Sequence, residues 1–435
     1  MLDGRSGRNG PGRGPARVEA SGLAVAKDGA LTWWHSADDR ARRAFVAAFL
    51  GWMLDAFDVM LYSMVVAALV ADPAMQITLS MAGALNSLTL LSAAFGGVAF
   101  GVFADRIGRA RALMAAVLLY SIFTAASGLA QSALQLAIFR VLLGIGMGGE
   151  WAVGAALVSE TFSPRHRGKA LAFVQSAWAW GYGLAALVNL LVMPLWGWRG
   201  VFLVGVAPAL FTLWVRRHVE DSTAWQATTH GERGRLRTLF APGLARTTVA
   251  VTFMNGACLF AWWGLNGWVP AYLRLSPDAG GIGLSTSAMS WFVFAMQVGM
   301  WFGYVLFGYI ADAIGRRATY LWFLLSAAAL LPIYGFVRQP VALFLLGPIV
   351  AFVGTGYLSG IGAVVADLYP PAVRATAAAV CYNLGRVASA AAPFTVGSLA
   401  QTHGFGVAFT VVGVAFVAAA VSFIWIPETS PASRV

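Results

Sequence analysis

Charge is scarce in this sequence. Of its 435 residues only 11% are Asp, Glu, Lys or Arg, where soluble domains carry about 25%. Cysteine is nearly absent: the two residues present, Cys258 and Cys381, fall inside apolar blocks, so neither a disulfide framework nor a cysteine metal site is expected. No His/Cys metal cluster, nucleophile–base arrangement or Walker loop occurs, so no enzyme and no cofactor are expected. The apolar–polar alternation of barrel strands is missing from blocks such as 341–365. These absences exclude a disordered chain, a soluble enzyme and a β-barrel.

Apolar residues are abundant. They make up 59% of the chain, with 28 Phe and 17 Trp, more than one soluble core holds. They come in long blocks, and a membrane helix needs about 20 mainly apolar residues. Twelve blocks are read near 44–68, 81–103, 112–131, 135–158, 169–192, 200–217, 247–272, 286–310, 317–337, 341–366, 375–398 and 407–426. The longest internal polar stretch runs from Arg216 to Arg246. The chain is then expected to divide into a disordered basic cytoplasmic tail (1–42), a six-span half (43–217), a cytoplasmic linker (218–245), a second six-span half (246–427) and a short cytoplasmic tail (428–435). The tail before the first span has no apolar run of signal-peptide length, so that span is expected to stay uncleaved.

The net charge of +11 would suggest nucleic acid in a soluble protein. Here the basic residues sit between the apolar blocks, which makes the bilayer the partner and excludes nucleic acid. With both termini in the cytoplasm, 24 of the 29 Lys and Arg fall on the inner side and three on the outer, and that asymmetry sets the topology. An inner-membrane, monomeric protein is expected.

The chain also repeats. Gly101, Asp105, Gly108 and Arg109 recur 207 residues later as Gly308, Asp312, Gly315 and Arg316. The same shift carries Glu160, Pro164 and Arg167 onto Asp367, Pro371 and Arg374, and Gly197 and Phe202 onto Gly404 and Phe409. Two halves of parallel topology follow, an arrangement used by transporters with the substrate site between the halves.

Two loops read GVFADRIGRAR and GYIADAIGRRA. In each, a glycine permits a tight reversal, while the carboxylate and guanidinium can latch neighbouring helix ends. The gating set is therefore Gly101, Asp105, Arg106, Gly108, Arg109, Glu160, Arg167, Asp312, Gly315, Arg316, Asp367 and Arg374. The bland alternative is a basic loop that serves topology alone.

These loops resemble the motif between the second and third spans of the major facilitator superfamily. Arg140 with Gly144, Gly146, Gly148 and Gly149 resembles its fourth-span motif, and Glu160, Pro164, Arg167 and Gly168 resemble the one that follows. From about Arg42 to Thr429 the resemblance implies twelve helices in two pseudo-symmetric six-helix halves, alternating access and transport of a small solute. LDAFDVMLYS, GMGGEWAVGAALVSE, WGWRGVF and GLNGWVPAYL further resemble its proton symporters of organic acids: the sialate/lactate-type and aromatic-acid branches, with the wider metabolite symporters behind them. AWGYGLAALV lacks the Gly-Pro of the superfamily's antiporters, which counts against efflux.

Ionisable groups at membrane depth are costly and functional by default. Asp55 and Asp58, three residues apart, share one helix face. Two carboxylates that close in a low dielectric do not both ionise easily, the property a proton-coupling group needs. Arg140 requires an anion, and Asp58 is expected to pair with it when ionised, as the resemblance to proton symporters also implies. Glu150 lies deeper on the same helix and completes the proton-coupling set. Arg386 has no acid at its depth in its own half, so it invites a substrate carboxylate; the alternative is a pairing with Asp55 across the interface. Gln175, Tyr182, Asn266, Gln297, Tyr357, Tyr382 and Asn383 interrupt apolar spans and are the further substrate-binding set. Trp262, Trp263 and Trp268 are read as membrane-interface anchors. The function expected is a proton-coupled importer of a small organic anion, with the proton as coupling ion. A sugar or zwitterion symporter or facilitator, or a transport-dead membrane sensor, is the alternative.

Overall fold

The computed structural model describes residues 32–162, 167–212, 214 and 239–427. Among them run fourteen α-helices: α1 (Thr32–His35), α2 (Asp39–Ala71), α3 (Leu79–Ile107), α4 (Arg109–Ser127), α5 (Ala133–Thr161), α6 (Arg167–Val204), α7 (Ala245–Asn266), α8 (Val269–Arg274), α9 (Thr286–Ile314), α10 (Arg316–Phe336), α11 (Pro340–Thr355), α12 (Ile361–Leu368), α13 (Pro371–Ser389) and α14 (Ala391–Ser422). Short polar side chains start the long ones. Asp38, Thr78, Ser132 and Ser285 accept hydrogen bonds from the backbone N–H groups of Ala41, Met81, Gln135 and Ala288 at 2.7–3.3 Å, which satisfies donors that a helix start otherwise leaves bare.

Eight helical stretches are long and apolar enough to cross a membrane, and Arg111–Ser127 and Ala133–Gly149 are shorter apolar helices. Two of the eight turn back on themselves. Lys169–Leu210 reverses at Gly197 (φ 63°) and Val380–Ser422 at Gly404 (φ 80°). Counting each as two spans gives the twelve read from the sequence. The positive-φ glycines carry the internal repeat into the backbone. Gly315 (φ 91°) follows Gly108 (φ 101°) by 207 residues, and Gly404 follows Gly197 by the same interval. At such angles a Cβ is strained, so the repeat retains glycine there.

Within the first half α2 packs on α6, and α5 on α3 and α4; within the second, α7 packs on α13 and α14, α9 on α11, and α10 on α14. The glycine-rich motif on α5 permits close approach to α3 and α4. A Cβ on Gly148 would meet the backbone of Ala93 and Gly97, and one on Gly146 the backbone of Tyr120 and Ala116. Small residues at helix contacts are the means by which helices in lipid come together. The polarity is inverted relative to a soluble protein: Asp55, Asp58 and Arg140 are fully buried, while Phe95, Leu195 and Trp196 are about 70% exposed.

Two expectations change. The tail expected to be disordered up to residue 42 is helical from Thr32, because Trp33 is buried against Phe45, Phe162 and Phe173 at ring distances of 5.1–6.1 Å. The seventh and tenth spans are not continuous: one breaks at Gly267 ahead of Pro270, the other through a 3-10 turn at Gly356–Gly360. Residues 1–31, most of the linker at 218–245 and the tail at 428–435 lie outside the described residues.

Between the halves α9 packs on α6, α14 on α3 and α8 on α2. Five hydrogen bonds that cross this interface lie toward one end, opposite the basic end where Arg106, Arg111, Lys169, Arg246, Arg316 and Arg317 sit. The Ser80 N–H donates to Gln401 and its hydroxyl pairs with that of Ser398, both at 3.0 Å. Tyr182 donates to the Asn266 carbonyl at 2.8 Å, Asn189 to the Ser290 hydroxyl at 3.0 Å, and the Phe394 N–H to the Ser87 hydroxyl at 3.1 Å. Gly83 lies directly under the Pro393 carbonyl, and Gly397 under that of Leu79. The halves are closed at the end opposite the basic one.

Candidate functional site

A small cavity of about 30 Å³ lies between the halves, lined by Trp52 of α2, Gln175 and Trp178 of α6, Leu259, Trp262 and Trp263 of α7, Tyr304 of α9, Leu358, and Tyr382 and Arg386 of α13. The helical period explains the selection: Gln175 and Trp178, Leu259 and Trp262, and Tyr382 and Arg386 are pairs three or four apart, each on one face. Ligand sites run from about 300 to 1,000 Å³, so in this form the space is collapsed, and a solute enters it only when the halves part.

Four indoles form one wall. Trp52 and Trp178 are 4.7 Å apart by ring centroid, Trp178 and Trp262 stand edge to face at 5.2 Å, and Trp262 and Trp263 at 4.7 Å. Trp262 and Trp263 are 3% and 4% exposed. They therefore line the cavity instead of anchoring the membrane interface as read from sequence. Trp268 is also buried, and its indole donates to the Pro393 carbonyl at 3.0 Å. Trp262 and Trp263 are drawn inward because α7 packs on α13 and α14 of its own half and reaches the cavity with its remaining face.

The charged groups sit around this wall. Arg386 is 5% exposed, with no carboxylate oxygen within 4 Å among the described residues. Asp55 faces it electrostatically from the other half, and neither Asp55 oxygen accepts a hydrogen bond. Asp58, one turn further on α2, is likewise without a hydrogen bond and lies within electrostatic reach of Asp55 and Arg140. Arg140 is fully buried: its guanidinium lies 4.3 Å from the Tyr62 ring centroid and donates to Asn86 at 3.5 Å. The expected Asp58–Arg140 ion pair is thus not formed in this arrangement.

Of the substrate-binding set, Gln175, Tyr382 and Arg386 line the cavity. The other polar groups bond to backbone: Tyr182 to Asn266 O, Asn266 to Trp262 O at 3.1 Å, Gln297 to Val293 O at 3.2 Å and Tyr357 to Cys258 O at 2.8 Å. Asn383 lies beside Gly97 of α3. The sequence reading passed over Asn255, which is fully buried with neither amide atom bonded and packs on Gly385, the neighbour of Arg386. Its signal was an Asn in an apolar block, the same signal that picked out Asn266.

Among the gating residues, Gly108 and Gly315 close α3 and α9. Arg106 and Asp312 are exposed. Arg316 forms an ion pair with Asp367, which ties the start of α10 to the end of α12. The side chains of Asp105, Arg109, Glu150, Glu160, Arg167 and Arg374 lie outside the described residues, and Gly101 falls within α3.

A second polar cluster, at the end opposite the basic one, escaped the sequence reading. Asp72 accepts from Trp198 at 3.0 Å and Arg199 at 3.4 Å, while Arg199 donates to Ala130 at 3.2 Å and lies 4.0 Å over the Trp198 ring. The Ala74 N–H, then the Trp198 indole and Arg199, hold the Asp72 carboxyl below its ordinary range. The cluster binds three helix connections of the first half to one another.

Comparison with known proteins adds relatives to this geometry. The family described as Major Facilitator Superfamily matches residues 48–280 and 275–435. The chain is similar to a probable 4-methylmuconolactone transporter of Cupriavidus pinatubonensis, 34% identical over 414 residues, covering 92% of this chain and 93% of that protein. It is similar to a cis,cis-muconate transport protein of Acinetobacter baylyi, 30% identical over 396 residues, covering 88% and 94%. In fold it is similar to a solved D-xylose-proton symporter, with a TM-score of 0.71 at 20% identity, covering 89% of this chain and 98% of the other.

Proposed function

The chain belongs to the Major Facilitator Superfamily, and from that footing we propose that it imports a small organic carboxylate together with protons. It is a multi-pass membrane transporter and not an enzyme. The observation that carries the finer reading is Arg386, a fixed cation on the wall of the cavity between the halves, with no ion pair among the described residues. A buried cation without a partner is costly, and a carboxylate held by the guanidinium fork relieves that cost. The relatives named for muconate and methylmuconolactone transport support a carboxylate or a compound derived from one. The four indoles favour a flat, unsaturated body, because the wall offers ring faces to stack on.

The basic end faces the cytoplasm by the charge asymmetry of the sequence, in the inner membrane of a bacterial cell. The form described here is then shut to the outside. Protons are read by the buried pair Asp55 and Asp58, and Arg140 is the charge that answers Asp58. Glu150, on the same helix as Arg140, belongs to this reading by its position.

The test uses the purified chain in liposomes with an acidic exterior and a panel of benzoate, nicotinate, cis,cis-muconate, lactate and sialic acid. At least one acid is expected to accumulate above its external concentration, and collapse of the pH gradient should abolish that accumulation. Uptake of a neutral sugar in place of every acid would overturn the reading.

A further inference from the structure

Asp55 and Arg386 come from different halves of the molecule, one on α2 and the other on α13. Trp52, one turn before Asp55, and Tyr382, one turn before Arg386, line the same cavity as Arg386 itself. Asp55 is fully buried and its two oxygens accept no hydrogen bond. Charged or titratable groups facing it are Arg386 and Tyr382 on α13 and Asp58 on its own helix. Arg140 on α5 faces Asp58. On its remaining side α2 is covered by α6, which presents Gly181 to Met53 and Ala56. One cation therefore stands before two claimants, the protein's own carboxylate and the carboxylate of a bound acid.

We propose that Asp55 competes with the substrate's carboxylate for Arg386, so that the acid binds only when Asp55 carries a proton. This rests on the reading that Arg386 anchors a carboxylate. When Asp55 is ionised it neutralises Arg386 through a low-dielectric wall, and an incoming anion meets repulsion instead of a free cation. When a proton from solution sits on Asp55, Arg386 is left without a counter-charge, and the acid supplies one. No covalent bond changes: the proton moves from water to Asp55 and the acid moves from water to Arg386. Proton and acid then enter the site together because neither occupies it well alone. The order is proton first, and no separate relay from a distant carboxylate is needed to make binding depend on pH.

The test is calorimetric titration of the same five acids into the purified full chain between about pH 5 and 10, in buffers that differ in ionisation enthalpy. Wild type should lose affinity as pH rises, approaching tenfold per pH unit for a single linked proton, and take up one proton per acid bound. Asp55→Asn and Asp55→Ser should bind at the alkaline end as tightly as wild type binds at the acid end, without a slope and without proton uptake. Two neutral replacements guard against a folding defect in either, and thermal melting checks both. A wild-type slope retained in the two variants would overturn the competition and leave the carboxylate reading standing. Loss of binding at every pH in well-folded variants would overturn it also, since Asp55 would then assist the acid. Failure of wild type and both variants to bind any of the acids would overturn the carboxylate reading and the competition together.

Discussion

Arg140 rests on the face of Tyr62, with 4.3 Å from guanidinium carbon to ring centroid, and leaves Asp58 without an ion pair. Tyr62 is itself fixed, because its hydroxyl donates to the Ala82 carbonyl at 2.8 Å. A cation on an aromatic face is worth about 2 kcal/mol when desolvated. The ring is thus a second resting place for a charge that would otherwise be bound to a carboxylate, and it lets α5 and α2 hold together while Asp58 is uncharged.

Replacing Asp58 by Asn should keep that resting place and remove the other. The pH dependence of acid binding should survive, while accumulation driven by a pH gradient should fall at least about tenfold, a change of about 1.4 kcal/mol in the driving equilibrium. Counterflow exchange without a gradient should persist in part. Initial uptake and steady-state accumulation in the same liposomes measure both. Accumulation as steep as wild type would move the role to another carboxylate.

Arg386 should tolerate no substitution. Arg386→Ala leaves the acid without its partner, and Arg386→Lys replaces a planar fork by a compact ammonium that cannot make the two-pronged contact. Binding should weaken by about a hundredfold or more in both, the effect of removing one side of a buried charge pair. Methyl esters of the bound acid should not compete in wild type. Full affinity in a well-folded Arg386→Ala would point to a neutral substrate.

The closed end rests on close approaches and neutral hydrogen bonds. Asn189→Ala removes one such bond, worth about 1 kcal/mol, and should raise the share of molecules open at that end roughly fivefold. Gly83→Ala should do more, because its Cβ meets the Pro393 carbonyl of the other half and the halves can separate to make room. Spin labels at Met81 and Thr402, one on each half, should move apart in Gly83→Ala while thermal melting of the protein is preserved. Unchanged label distances would show that the gate absorbs the methyl group.

Asp72 gives the helix connections it joins a pH dependence of their own. Its carboxyl is held below the ordinary range, so the folded state gains stability where Asp72 is ionised and loses it as pH falls through the lowered value. Asp72→Asn should therefore melt below wild type at neutral pH, and the difference should begin to shrink at about pH 4 and vanish once pH is below the lowered value. A difference that persists in acid would assign the effect to packing of the connections.

Spans and repeat were legible because both are written in one dimension: apolar blocks show spans, and Gly108, Gly197, Gly315 and Gly404 stand at a fixed interval. Which face of a span looks inward was not legible. A helix that is apolar on every side carries no stripe to orient it, so Trp262 and Trp263 near a span's end read as interface anchors. Tyr182, Asn189 and Asn266 show the same limit. Each is a polar residue in an apolar block, and only the fold tells that Tyr182 meets Asn266, and Asn189 meets Ser290, across the two halves. The charge balance of the second half, by contrast, was readable, because a count of acids by depth needs no packing.

Every hydrogen bond that joins the halves at the closed end, among the described residues, links uncharged groups. Dissolved ions screen charges and leave neutral contacts of this kind almost untouched. Moving the cell from dilute water to brine would weaken the Asp72–Arg199 cluster within one half, yet it would leave the seal between the halves as tight as before. The closure is in this sense insulated from the ionic strength of the solution it faces.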